Sequence, residues 1–228
     1  MCGLFGMIAT TTTLPQGEVT TLAREAGRRG PNAWGVSWVQ PDGTLVRTTQ
    51  SEALKAHPER LFASVPRMCR AFIGQTRLST SGTYHEARNN PPFIVGIDER
   101  QVAIAHNGNV YNAGELIERY GLIPQSECDS EVLGLLIAQG EGSLVERVQW
   151  ALSLLDGRSP YALLVLSQDE LVTACGGHPL YRTEGPSWLS FCSRPLGDSS
   201  AQLPGGVWSW PVEEGRAVYG KDTQEKEH

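Results

Sequence analysis

The order of segments constrains this fold more than any other feature: short strand-like runs come first, then helical periodicity, then short strand-like runs again. Residues 2–9, CGLFGMIA, are apolar and rich in strand formers, and they predict a buried strand. A helix is expected over 17–29, ended by Gly30-Pro31. Two strands, 34–39 and 44–49, flank the turn Pro41-Asp42-Gly43. Residues 51–63 read as weakly helical, and 69–77 and 101–106 as strands on either side of a polar loop, 79–92. Helices are expected at 112–120, 129–139 and 143–154. Glycine-separated strands follow at 160–167, 170–175, 179–182, 187–192 and 206–210. No internal repeat or linker divides the chain. The pattern fits one α+β domain over 1–220 with helices outside packed sheets, then a charged tail, 221–228, expected to be disordered.

Composition narrows the function classes. The 228 residues are 40% hydrophobic, enough for a sizeable core. The net charge of −6 gives no expectation of a nucleic-acid groove or of an anionic membrane partner. No apolar run approaches ~18 residues, so no membrane span is expected. Gly3–Ala9 lacks a basic flank and a cleavage site, and reads as a strand, not a signal peptide. Five widely spaced cysteines, at 2, 69, 128, 175 and 192, form no C-x-x-C. That argues against a disulfide framework or a structural zinc site and points to a cytoplasmic setting. The histidines at 57, 85, 106, 178 and 228 show no ligand spacing, so no metal site is expected.

Cys2 is where chemistry can enter. Removal of Met1 would leave a residue bearing both a thiol and a free α-amine, whose ordinary pKa of about 7.7–8.0 lets it act as the base for its own thiol. Taken alone, Cys2 reads first as a small hydrophobe on a strand. Other segments bear on the choice: GRRGPNAWG at 27–35, GQTRLSTSG at 74–82, AIAHNGNVYN at 103–112 and SECDSEVL at 126–133. Alone, Asn107-Gly108 is a hairpin turn, Arg77 a salt-bridge partner and Asp129 a helix N-cap. Together, and in this order after CGLFG, the segments resemble the class II glutamine amidotransferases, over Cys2 to about residue 195.

The resemblance implies a four-layer αββα sandwich of the N-terminal-nucleophile hydrolase type, with two mostly antiparallel sheets face to face. It also implies hydrolysis of L-glutamine. Cys2 would be the nucleophile, and Asn107 and Gly108 the oxyanion donors. Arg77 would grip the substrate α-carboxylate bidentately, and Asp129 would accept from the α-ammonium. Thr80 and Gly82 would line the pocket, and Gly30 and Gly35 would set backbone geometry near Cys2. No metal or organic cofactor is required. A separate synthase subunit is the expected partner, receiving ammonia. A stand-alone hydrolase of a γ-glutamyl conjugate and a catalytically silent module remain as alternatives. His106 is expected to pack beside the oxyanion turn, and Cys128 to be structural. NNPPF at 89–93 is similar to the Gln-Pro-Phe of purine-pathway relatives and RGP at 29–31 to asparagine synthetases, which leaves the subfamily open. Trp188, Trp208 and Trp210 read as core, or as a partner patch.

Overall fold

A computed structural model describes residues 1–11, 13–212 and 221–222. The first sheet combines β1 (Gly3–Ala9), β2 (Ala33–Val39), β3 (Leu45–Gln50), β4 (Ala71–Arg77), β9 (Tyr181–Gly185), β10 (Trp188–Cys192) and β11 (Ala201–Gln202). Its order is β11-β9-β10-β1-β4-β2-β3. The second contains β5 (Phe93–Val95), β6 (Val102–Gly108), β7 (Tyr161–Leu166), β8 (Glu170–Gly176), β12 (Gly206–Pro211) and β13 (Lys221–Asp222), in the order β13-β12-β8-β7-β6-β5. Every neighbouring pair is antiparallel. The helices are α1 (Gln16–Ala26), α2 (Glu59–Ser64), α3 (Ala113–Tyr120), α4 (Asp129–Gln139) and α5 (Leu144–Ser153). None is long and apolar enough to cross a membrane.

Three apolar layers alternate with four layers of backbone. Successive side chains on a strand face opposite ways. On β1, Phe5, Met7 and Ala9 pack under α1 and α2, while Leu4 and Ile8 meet Ala103, Ala105 and Leu164 of the second sheet. Beyond that sheet, Val102, Ile104 and Leu163 pack against Val132, Leu133, Leu136 and Ile137 of α4. This is the αββα sandwich that the sequence implied. Strands buried on both faces read as continuous apolar runs, which is why all seven residues of β1 are buried. Among the tryptophans, Trp210 is core: its ring lies 5.0 Å from that of Phe191, and its Nε1 donates to Thr173 Oγ1 at 3.0 Å. Trp188 and Trp208 are partly buried against the same layers.

Several boundaries differ from expectation. The first helix ends at Ala26, because Gly27 packs so closely on the Lys55 backbone that a Cβ would lie 2.9 Å from its nitrogen. The weakly helical stretch divides at His57-Pro58 into a 3-10 turn, Leu54–Ala56, and α2, since a residue before proline is pushed out of the helical region. Strands β5, β11 and β13 were not expected; at two or three residues each they are too short to leave a periodic signal. Of the tail expected to be disordered, Lys221–Asp222 pairs with Trp208 and Ser209. The rest of it lies outside the described residues.

Gly30 shows how tightly the end of β4 is held. Its φ is +58°, and a Cβ there would fall 2.3 Å from the carbonyl carbon and oxygen of Thr76 and 2.5 Å from the Arg77 nitrogen. Left-handed backbone costs an ordinary residue about 1–2 kcal/mol before any clash. Gly30→Ala is therefore expected to lower stability by about 3 kcal/mol, read as a lower urea midpoint at unchanged m.

Candidate active site

Strand alternation and register bring the expected residues to one end of the sandwich. Residues 4 and 8 of β1, 71 and 73 of β4, and 103 and 105 of β6 all face the layer between the sheets. Carrying each parity onward puts Cys2, Arg77 and Asn107 in that same layer. The pairing Gly3↔Thr76 sets Cys2 beside the end of β4. The Leu78 N–H points at Cys2 Sγ across 3.4 Å. Across the layer, Gln75 Oε1 accepts the His106 N–H at 2.9 Å, a direct bond between the two sheets one residue from Asn107.

Asn107 is buried, and its Nδ2 has no partner among the described residues. A buried amide donor left without an acceptor costs about 1–3 kcal/mol, so an orphan here marks a place where an acceptor belongs. Gly108 follows in a confined position: a Cβ would lie 2.4 Å from the Pro160 oxygen and 2.6 Å from His106 Nε2. Gly108 ends β6, paired with Tyr161, so its role is steric and the Asn-Gly pair is not the hairpin turn that it suggests alone.

Asp129 opens α4, but it is not the cap that the sequence suggested. Cys128 occupies the N-cap position, and no side chain caps the helix there. The Asp129 carboxylate reaches sideways instead: Oδ2 accepts the Val110 N–H at 2.6 Å, just past the end of β6 at Asn107-Gly108. Gly134 makes this reach possible. A Cβ on it would meet Ile104 at 2.8 Å, so its absence lets α4 lie close on β6.

Arg77 is buried without a carboxylate partner among the described residues. Its guanidinium donates to Asn90 Oδ1 at 2.8 Å and to the carbonyl oxygens of Ser81 and of Gly82, the last at 3.2 Å. Gly82, at φ +64°, is thus placed against Arg77 by its carbonyl. Thr80 is exposed on the same loop. Gly30 packs on the Thr76–Arg77 backbone, and Gly35 on the Pro91 carbonyl, 2.3 Å from where a Cβ would be; neither is built against Cys2 itself.

Supporting residues emerge that the sequence did not single out. Asn89, fully buried, donates from Nδ2 to Thr83 O at 3.1 Å and to Glu127 Oε2 at 3.0 Å, and its Oδ1 accepts the Glu127 N–H at 3.0 Å. It ties the Arg77 loop to the approach of Asp129. Asn32 Oδ1 accepts the Ser79 N–H at 3.0 Å. Gln75 had a signal available: it lies two residues before Arg77, on the same strand face.

His106 packs beside Gly108, as expected, with Nδ1 2.9 Å from Ser130 Oγ. Burial drives its pKa down to about 4, against the opposing pull of the Asp129 charge and reinforced by His178, so the ring is neutral at pH 7. His178 is itself held below the usual imidazole value by burial, by Arg29 and by the amino terminus. For His106 the folded value lies below the unfolded one, so its contribution is intact above about pH 6.5 and is lost as pH falls toward 4. His106→Gln should flatten that arm of the stability–pH curve by about 3 kcal/mol between pH 7 and pH 4, measured by urea unfolding across that range.

Cys2 is only half-buried; the other four cysteines are buried and free. Burial pushes the thiols of Cys69 and Cys192 up to about 12 and that of Cys128 up to about 11. Cys128 is the structural N-cap of α4, 3.9 Å by its sulfur from Asp129 Oδ1.

Two antiparallel sheets between helices, with a cysteine at the head of a central strand, define an N-terminal-nucleophile hydrolase fold. Residues 1–139 match the sequence profile of the family described as glutamine amidotransferases, class-II, and the chain belongs to that family. It is 30% identical over 211 residues to the glutamine–fructose-6-phosphate aminotransferase (isomerizing) of Symbiobacterium thermophilum, covering 90% of this chain and 32% of that protein. It is 36% identical over 153 residues to the amidophosphoribosyltransferase of Rhizobium etli, covering 64% and 30%. The fold is similar to that of glutamine phosphoribosylpyrophosphate amidotransferase from B. subtilis, solved with ADP and GMP, at a TM-score of 0.75 and 22% identity over 99% of this chain and 50% of that one. A glutamine aminotransferase class-II domain protein from Silicibacter pomeroyi gives 0.63 at 14% identity, over 97% and 99%. The chain spans about a third of the length of the curated relatives it matches.

Proposed function

We propose that this domain hydrolyses L-glutamine to glutamate and ammonia through a thioester on Cys2, and that the ammonia passes to a synthase segment or subunit. The observation that carries this reading is the unpartnered, buried Nδ2 of Asn107, next to Gly108 and in the same inter-sheet layer as Cys2. Loss of Met1 frees the Cys2 amine, which takes the thiol proton. The sulfur attacks the carboxamide carbon, and the oxyanion settles against Asn107 Nδ2–H and the Gly108 N–H. The Cys2 ammonium returns its proton to the departing nitrogen, and ammonia leaves. Water then attacks the γ-glutamyl thioester, releasing glutamate and the thiol.

Arg77 and Asp129 hold the two charges of the zwitterion, with Thr80 and Gly82 in the loop beside it. The chemistry uses protein groups alone. The domain extends over 1–220 and works in the cytoplasm, where a reducing medium keeps Cys2 a thiol. Matched relatives about three times longer support an acceptor site outside the matched region. Intact mass should show Met1 removed, purified protein should release glutamate from glutamine, and an electrophilic glutamine analogue should label Cys2. Label on another cysteine, or no glutamate release from the Met1-free protein, rules this function out.

A further inference from the structure

We infer that Asn90 is the positioning residue that aims the Arg77 guanidinium at the substrate α-carboxylate, doing so with a neutral acceptor so that the arginine keeps its charge for the ligand. The inference rests on the glutaminase reading of the site and adds the residue that tunes its carboxylate specificity. A guanidinium binds a carboxylate well only when its planar fork is held in the right plane. Arg77 is buried, so the geometry of its side chain is set by whatever accepts its N–H groups. The acceptors are two loop carbonyls, of Ser81 and Gly82, and one side chain, Asn90, at 2.8 Å. All three are uncharged.

Asn90 is itself fixed. It is 1% exposed, and its Nδ2 donates to the Tyr84 carbonyl at 2.7 Å. A carbonyl can only accept, so the amide nitrogen must face Tyr84 and the amide oxygen must face Arg77. The backbone on either side is gripped by Arg47, which donates to the carbonyls of Ala87 at 3.2 Å, Asn90 at 3.5 Å and Pro92 at 2.9 Å. Ser51 Oγ adds a second donor to Tyr84 O at 2.9 Å. The 78–90 loop is thereby closed onto Arg77 through two backbone carbonyls and one side-chain amide, that of Asn90.

The residue type matters. Alanine at 90 leaves one guanidinium N–H without its acceptor and the fork free to turn. Aspartate keeps the outline and an acceptor for Arg77, gives up the donor to Tyr84, and supplies a permanent counter-ion, which competes with the substrate carboxylate. The test compares wild type, Asn90→Ala and Asn90→Asp on two substrates: L-glutamine and 4-aminobutanamide, which is glutamine without its α-carboxylate. For Asn90→Ala, KM for glutamine should rise about tenfold, with kcat within about threefold. For Asn90→Asp the rise in KM should be larger still. Turnover of 4-aminobutanamide, as kcat/KM, should stay within about twofold of wild type for both, since the lost contact concerns a group that this substrate lacks.

An unchanged KM for glutamine overturns the inference, as does an equal fall on both substrates, which is what a general loosening of the loop would give. If Asn90→Ala does not fold, the near-isosteric Asn90→Asp decides by the same criteria. Wild-type protein inactive on glutamine would instead remove the underlying glutaminase reading, and this assignment with it.

Discussion

Cys2→Ala is expected to lower glutamate release from glutamine by at least about 10⁴-fold, because it removes the only group proposed to form a bond with the substrate. Residual turnover would come from the oxyanion donors and from binding alone, and KM should move little, since Arg77 and Asp129 are untouched. Protein that retains Met1 should be as inactive as the variant. Its Cys2 nitrogen is then an amide, which cannot take a proton from the thiol. The comparison separates the two roles united in one residue: Cys2→Ala keeps a free amine and lacks the sulfur, whereas Met1-retained protein keeps the sulfur and lacks the amine. Stopped assays of glutamate on both, with intact mass recorded for each batch, give the answer. Activity within tenfold of wild type in either form contradicts the mechanism.

The second large effect is expected at Asp129. Its carboxylate accepts the Val110 N–H through Oδ2, and Oδ1, which faces the Cys128 sulfur at 3.9 Å, is the oxygen proposed to meet a substrate ammonium. Asp129→Asn keeps an oxygen able to accept that N–H, so the Val110 contact should stand while the charge is lost. KM for glutamine should then rise about a hundredfold, the scale of one charged hydrogen bond, with kcat within about threefold. Asp129→Ala also releases Val110, two residues past Gly108 at the end of β6, so kcat should fall as well. If the two variants behave alike, the carboxylate has only one of these duties.

Most of the architecture was legible because burial on both faces writes itself as continuous apolar runs. GLFGMIA, the AFIG half of AFIGQTR and YALLVL read as strands because they are continuously apolar, and α4 is recognisable in DSEVLGLLIAQ from acidic residues at its start and the apolar VLGLLIA that follows. Strands β5, β11 and β13 escaped because a pattern of period two needs more than three residues to show. In the site, residues that would act on substrate could be picked out as types suited to a zwitterion and an oxyanion. The residues that aim them could not. Asn89 and Asn90 looked like a subfamily mark in NNPPF, whereas their contacts depend on a fold that brings Glu127, Tyr84 and Arg77 to them. Taken alone Asp129 suggested a cap, because the preference of acidic residues for helix starts says nothing about the chain passing alongside, whose Val110 N–H its carboxylate accepts.

The hydrogen bond that Gln75 accepts from the His106 backbone joins the two sheets across a layer that is mostly apolar. The Cys2 thiol and the proposed oxyanion donors, Asn107 and Gly108, arrive from opposite sides of that seam, so their separation is governed by how the two slabs slide, not by any single loop. A repacked layer of the right volume but slightly altered shape could leave the melting temperature almost untouched and still carry the reacting atoms out of line. Turnover, more than thermal stability, is the gauge that would register drift along this seam.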